Sequence, residues 1–169
     1  MPDTPEGLAY KSHHVVQCDN ENTHHGWIYD DGQGAYRLGL RIKEKLHEER
    51  STYQTISVYD SYDYGKILTL DGLIMFSERD EFVYHEMLSH VALCSHPNPE
   101  KVLIIGGGDA GCLREILKHP EVKHVVQCDI DERVTRVCEK WFDWVSPAIH
   151  DPRSKLIFAD GIQYIKETQ

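Results

Sequence analysis

Two periodicities divide the chain. From Trp27 to Ser77 the texture is that of strands: "YQTISVYD" alternates and is rich in β-formers, "GKILTLDG" ends in a turn signal, and "LIMFS" is a short apolar run. Asp71-Gly72 between the last two is a tight-hairpin dipeptide. A small antiparallel sheet is expected. At Ser77 the period changes. Ser77 and Asp80 have capping-box spacing, acidic residues fill the next turn, and Phe82, Val83, Met87, Leu88 and Val91 recur at helical spacing. This predicts a helix over residues 80–94, stopped by the two prolines of "SHPNPE".

After Lys101 the pattern alternates. It reads strand, glycine-rich turn, helix (110–118), strand "HVVQCDI", helix (132–142), loop, strand "KLIFA", and a helix opening after Asp160-Gly161. Strand–helix alternation predicts parallel βαβ units of the Rossmann-like, doubly wound class. The expected organisation is a polar, His-rich arm (1–25), a β domain (26–77) and a Rossmann-like domain (78–169). That sheet stops after its third strand, so it is expected to be incomplete, with residues 102–105 at an open edge where a fourth strand would pair.

Composition narrows the class. With 40% apolar and 27% charged residues, the 169-residue chain reads as globular. No apolar run reaches bilayer length, and the first residues lack the basic and apolar parts of a signal peptide. Five cysteines, none in a C-x-x-C pair, fit a reduced, cytoplasmic protein. Setting 28 acidic against 18 basic residues gives a net charge of −10, which disfavours nucleic acid and anionic membranes as partners. The His13-His14 and His24-His25 pairs fit no zinc-ligand spacing, so no metal site is expected.

The candidate chemistry lies at Gly106-Gly107-Gly108-Asp109-Ala110-Gly111. Gly106, Gly108 and Gly111 satisfy G-x-G-x-x-G, a spacing that normally presents backbone N–H groups to a pyrophosphate. Asp109 puts a carboxylate where that anion would sit, at a cost of several kcal/mol when the dielectric is low. A nucleoside bearing a sulfonium or an amine gains from the same group. Asp129, at the end of the next strand, stands where an acidic side chain accepts ribose hydroxyls, and Asp131 is better placed than Asp129 to cap the following helix. Asp160 adds a third acid at the carboxyl edge. Taken alone, Tyr84-His85 reads as packing or a surface patch.

Leu70-Asp71-Gly72, Glu78-Arg79-Asp80-Glu81-Phe82, Tyr84-His85-Glu86-Met87 and Gly106-Gly107-Gly108-Asp109, in this order, resemble the spermidine synthases, the polyamine aminopropyltransferases. The resemblance covers about residues 53–160. It implies transfer of the aminopropyl group of decarboxylated S-adenosylmethionine, a co-substrate rather than a cofactor, to a polyamine, usually putrescine. By the same resemblance, Gln54 and Asp109 bind the donor and Asp109 holds its amine. Asp129 takes the ribose, Asp160-Gly161 contact adenine, and Tyr84 and His85 line the polyamine side with Asp109 at the junction. A homodimer or homotetramer is implied. Ala110 replaces a frequent glycine, a change Gly111 is expected to absorb, and Asp129 replaces a common Glu. The family's catalytic aspartate falls beyond residue 169, so this chain alone is expected to be inactive, with Tyr84 and Asp109 only as assistants. The alternatives are an S-adenosylmethionine-dependent small-molecule methyltransferase and a non-catalytic polyamine-binding fragment.

Overall fold

The computed structural model describes residues 26–30 and 38–168. The arm with its two His pairs lies outside them.

The first unit is an antiparallel meander of β1 (Gly26–Asp30), β2 (Leu38–Arg50), β3 (Thr55–Ser61), β4 (Lys66–Leu70) and β5 (Leu73–Ser77), paired in that order. The predicted hairpin joins β4 to β5. Asp71 and Gly72 both take positive φ (49° and 84°), as a two-residue turn matched to strand twist requires. The Asp71 carboxylate also accepts the Thr55 N–H at 2.8 Å, tying the turn to β3.

Helix α1 (Glu81–Ser95) leads to β6 (Lys101–Ile105), α2 (Gly111–Leu117), β7 (His124–Asp129), α3 (Glu132–Trp141), α4 (Val145–Ile149), β8 (Ser154–Phe158) and α5 (Gly161–Glu167). The three strands are parallel in the order β6-β7-β8. Among the described residues β6 pairs only with β7 and is an edge, as expected. One core joins both units: Ile56, Val58, Leu68 and Phe76 of the meander pack with Leu113, Val125, Val134 and Phe142. Arg133 clamps the seam through a two-pronged pair with Glu49 (2.6 and 3.0 Å).

Helix α1 forms where the pattern places it, one residue later at each end. The helix starts at Glu81 with Asp80 as its cap residue, and the Asp80 carboxylate turns back to accept the Ser77 hydroxyl at 2.6 Å and the Ser77 N–H at 3.3 Å, so one half of the capping box forms. Its buried face is mostly polar. Phe82, Val83, Met87, Leu88 and Val91 are exposed, whereas Glu81, His85 and Ser89 are buried with Leu93. The buried polar groups are satisfied by α2 and the glycine loop, so tertiary pairing overrides the amphipathic rule. Helix α4, read as loop, has five residues, too short for a period, and its Pro147 sits in the first turn, where no helical N–H is needed.

Candidate functional site

The glycine loop between β6 and α2 turns tightly. Gly106 (φ 79°), Gly107 (φ 83°) and Ala110 (φ 60°) all lie in the left-handed region. Ala110 itself bears the strained conformation, so Gly111 does not absorb the replacement. Gly111 serves a different purpose. A Cβ built there would fall 2.2–2.4 Å from three atoms of the His85 ring. Only a residue without a side chain lets α1 lay that imidazole on the start of α2.

The loop does not hold its N–H groups out for a phosphate. Gly108 N–H donates to Asp129 Oδ2 at 2.9 Å, and Gly111 N–H donates to Asp109 Oδ1 at 2.7 Å. The protein's own carboxylates occupy the donors a pyrophosphate would use. Asp129 Oδ1 accepts the Asp131 N–H at 2.8 Å, so this side chain pins the end of β7 to the loop. Asp131, as expected, caps α3 by accepting the Arg133 N–H.

His85, 1% exposed, bridges two acids. Its Nδ1 lies 2.5 Å from Glu81 Oε2 and its Nε2 3.2 Å from Asp109 Oδ1. Burial works against a charge on the ring, but the hydrogen bonds and charges of Asp109 and then Glu81 outweigh it and raise its pKa above the ordinary histidine value. Oδ2 of Asp109 has no hydrogen-bond partner among the described residues.

These groups face one cleft of about 300 Å³, lined by Gln54, Tyr84, His85, Gly107, Gly108, Asp109 and Asp129. Its apolar walls come from the meander (Leu68, Met75, Phe76) and from Ile104 and Ile105. Cys112 also lines it, with burial pushing the thiol up, so it stays protonated near neutral pH and is a poor nucleophile. Tyr84 is 61% exposed at the mouth.

Not every residue singled out in the sequence joins the cleft. Asp160 is exposed and caps α5, accepting the Ile162 and Gln163 N–H groups at 2.8 and 3.1 Å. Gly161 lets α5 start against β6, since a Cβ there would lie 2.7 Å from Ile105 Cγ2. Sequence reasoning missed the partners behind the site. Gln54 Nε2 donates to Asp131 Oδ2 at 2.9 Å and the Ser51 hydroxyl to the same oxygen at 2.6 Å, docking the β2–β3 turn on α3. Beneath His85, Arg114 pairs with Glu81 and with the fully buried Glu115 (2.7 Å each). Among the described residues Glu86, His90 and Glu115 bring three potential metal-ligand atoms within 4.8 Å of one another, but Arg114 and Lys118 already occupy both Glu115 oxygens.

An antiparallel meander joined to parallel βαβ units, with a cleft of carboxylates at the glycine loop, defines a Rossmann-like protein of the methyltransferase type. Residues 81–169 match the spermine/spermidine synthase domain and residues 26–78 the spermidine synthase tetramerisation domain. The chain belongs to the spermine/spermidine synthase family. It is 55% identical over 130 residues to a polyamine aminopropyltransferase of Thioalkalivibrio sulfidiphilus, covering 77% of this chain and 46% of the relative. It is 52% identical over 139 residues to that of Methylococcus capsulatus, covering 82% and 48%. The spermidine synthase of Thermotoga maritima superposes with a TM-score of 0.81 at 36% identity, over 90% of this chain and 54% of that one. A spermidine synthase complexed with the transition-state analogue AdoDATO superposes equally well, with the same TM-score of 0.81, identity and coverage. The chain thus spans about half the length of the relatives it matches. Among the described residues no helix is long and apolar enough to cross a membrane.

Proposed function

We propose that the chain carries the donor-binding half of a polyamine aminopropyltransferase that converts putrescine and decarboxylated S-adenosylmethionine to spermidine and methylthioadenosine. One observation carries the reading: Asp109 and Asp129 take the loop N–H groups that a pyrophosphate would need and face the same cleft. Such a cleft repels phosphates and attracts a sulfonium with a primary ammonium. In this reading Asp109 Oδ2 binds the ammonium of the aminopropyl arm. Each Asp129 oxygen accepts one backbone N–H and keeps capacity for a ribose hydroxyl. Gln54 lies on the donor side, Asp160-Gly161 toward adenine, and Tyr84 and His85 toward the acceptor amine.

In the reaction, a neutral acceptor nitrogen attacks the carbon beside the sulfonium. The C–S electron pair returns to sulfur, which leaves as a neutral thioether. The acceptor's ammonium has a pKa of about 10 and no lone pair until deprotonated, so a base must take its proton. We assign that base to sequence outside residues 1–169, with Tyr84 and Asp109 assisting. The sulfonium is its own leaving group, so the reading includes neither cofactor nor metal. It also includes a homodimer or homotetramer, in keeping with the tetramerisation-domain match, and a cytoplasmic location, in keeping with unpaired Cys94, Cys112, Cys128 and Cys138.

The division of roles is open to test. Asp129→Ala is expected to weaken the decarboxylated donor and methylthioadenosine by the same factor, about tenfold for one lost hydrogen-bonding group. Calorimetric titration of both ligands checks it. Loss of affinity for the donor alone would show that Asp129 reads the charge rather than the ribose.

A further inference from the structure

The buried face of α1 carries an unusual load. Glu81, His85, Arg114 and Glu115 form a continuous ladder from Asp109 inward. His85 stands between Asp109 and Glu81, Arg114 Nη2 reaches Glu81 Oε2 at 2.7 Å, and Arg114 Nε reaches Glu115 Oε1 at 2.7 Å. Lys118 closes it on Glu115 Oε2 at 2.6 Å. Charges alternate in sign along the whole run. Burying such a run rarely adds stability over apolar packing of the same shape, which directs attention to what the arrangement holds in place.

It holds Asp109. The carboxylate meets the Gly111 N–H and His85 Nε2 with one oxygen, Oδ1, leaving Oδ2 without a partner among the described residues. The imidazole in turn has no freedom. Glu81 takes its other nitrogen, Gly111 lies beneath it, and the Phe76 and Tyr84 rings meet it edge-on at 5.9 and 5.5 Å. Glu81 is fixed by the Arg114 fork, and Arg114 by Glu115.

We propose that Glu81 and Arg114 are positioning residues for the amine-binding position of the cleft. Through His85 they orient Asp109 so that Oδ2 is presented to a cationic arm. The proposal rests on the donor-binding reading above. Neither residue lines this cleft; Glu81 borders the adjoining cavity of about 530 Å³ beside Phe76 and Tyr84, and its route to Asp109 runs through His85. A ligand ammonium arriving at Asp109 competes with the His85 ring for the same carboxylate. Glu81 keeps the ring anchored from behind when that happens.

The test titrates the full chain with decarboxylated S-adenosylmethionine and with methylthioadenosine, which lacks the amine, and records the ring ¹⁵N shifts of His85. Glu81→Gln is expected to weaken the decarboxylated donor about tenfold, leave methylthioadenosine within about twofold, and lower the pH at which the His85 ring signals report loss of the second proton, because one of the two acids that raise its pKa is gone. Arg114→Lys keeps the charge but loses the two-pronged geometry, and is expected to give the same selective loss to a smaller degree; it carries the test if Glu81→Gln does not fold. Equal weakening of both ligands would reduce the ladder to a structural role and overturn the proposal, as would unchanged donor affinity in both variants. Asp109→Asn run in parallel separates the two levels. If Asp109→Asn discriminates between the ligands and the ladder variants do not, only the positioning role falls. If Asp109→Asn does not discriminate, the donor-binding reading falls and this proposal with it.

Discussion

Asp109→Asn is expected to remove most of the affinity for decarboxylated S-adenosylmethionine while leaving methylthioadenosine within about twofold. The substitution is nearly isosteric, and an asparagine Oδ1 still accepts the Gly111 N–H, so the turn at the head of α2 persists. What disappears is the charge that answers a ligand ammonium. A hydrogen bond to a charged group contributes about 1.5–3 kcal/mol, a loss of roughly tenfold to 150-fold in the dissociation constant. Methylthioadenosine has no ammonium to lose. Calorimetric titration with both ligands decides the matter, and an unchanged donor constant would place the cation somewhere other than Asp109.

Gly111→Ala sets helix propensity against packing, and packing is expected to win by a wide margin. Within a helix, alanine is favoured over glycine by about 1 kcal/mol. The added Cβ, however, falls 2.2–2.4 Å from the His85 ring, which is 1% exposed and has no room to retreat. Moving it breaks its pairing with Glu81 and Asp109, and breaking a buried pair costs about 3–5 kcal/mol. The net loss is at least about 2 kcal/mol, a fall in melting temperature of at least about 4 °C for a chain of this size. Donor affinity should fall as well, because Asp109 loses its neighbour. Thermal unfolding monitored by circular dichroism reads the first effect. A variant melting at or above the parent would show that His85 is not lodged against Gly111.

These two residues also mark how far the pattern of the sequence reached. The glycine spacing announced a tight loop after β6, and Asp109 within it pointed away from phosphate ligands. Both features are local, and local features are legible. That the third glycine makes room for a side chain from residue 85 was not, because His85 reaches it from a different helix. That Asp131 rather than Asp129 caps α3 was readable, since capping follows a fixed offset from the helix start. The clamp from Ser51 and Gln54 to Asp131 was not, because it joins side chains about eighty positions apart.

Helix α1 is the instructive failure. Its apolar residues repeat with helical period, and the element is there. The rule that the apolar stripe faces inward assumes that burial of hydrocarbon decides orientation. Here a ladder of opposite charges lies between α1 and α2, and among the described residues Phe82, Val83 and Met87 are exposed. Nothing within residues 81–95 alone carries that information; it becomes visible only when Arg114, Glu115 and Asp109 are placed beside them. Asp160 and Gly161 fall between these cases: the cap and the close approach to Ile105 follow from the chain, and their place toward adenine rests on the resemblance alone.

The most direct measurement compares the binding of decarboxylated and ordinary S-adenosylmethionine to the unmodified chain by calorimetry. The two ligands share adenosine and sulfonium and differ by one carboxylate, carried beside the amine that Asp109 is assigned to hold. Like charges brought together at reduced dielectric cost several kcal/mol, so the decarboxylated form should bind at least about tenfold more tightly. Equal affinities, or tighter binding of the ordinary form, would contradict the assignment and point instead to a methyltransferase-type site.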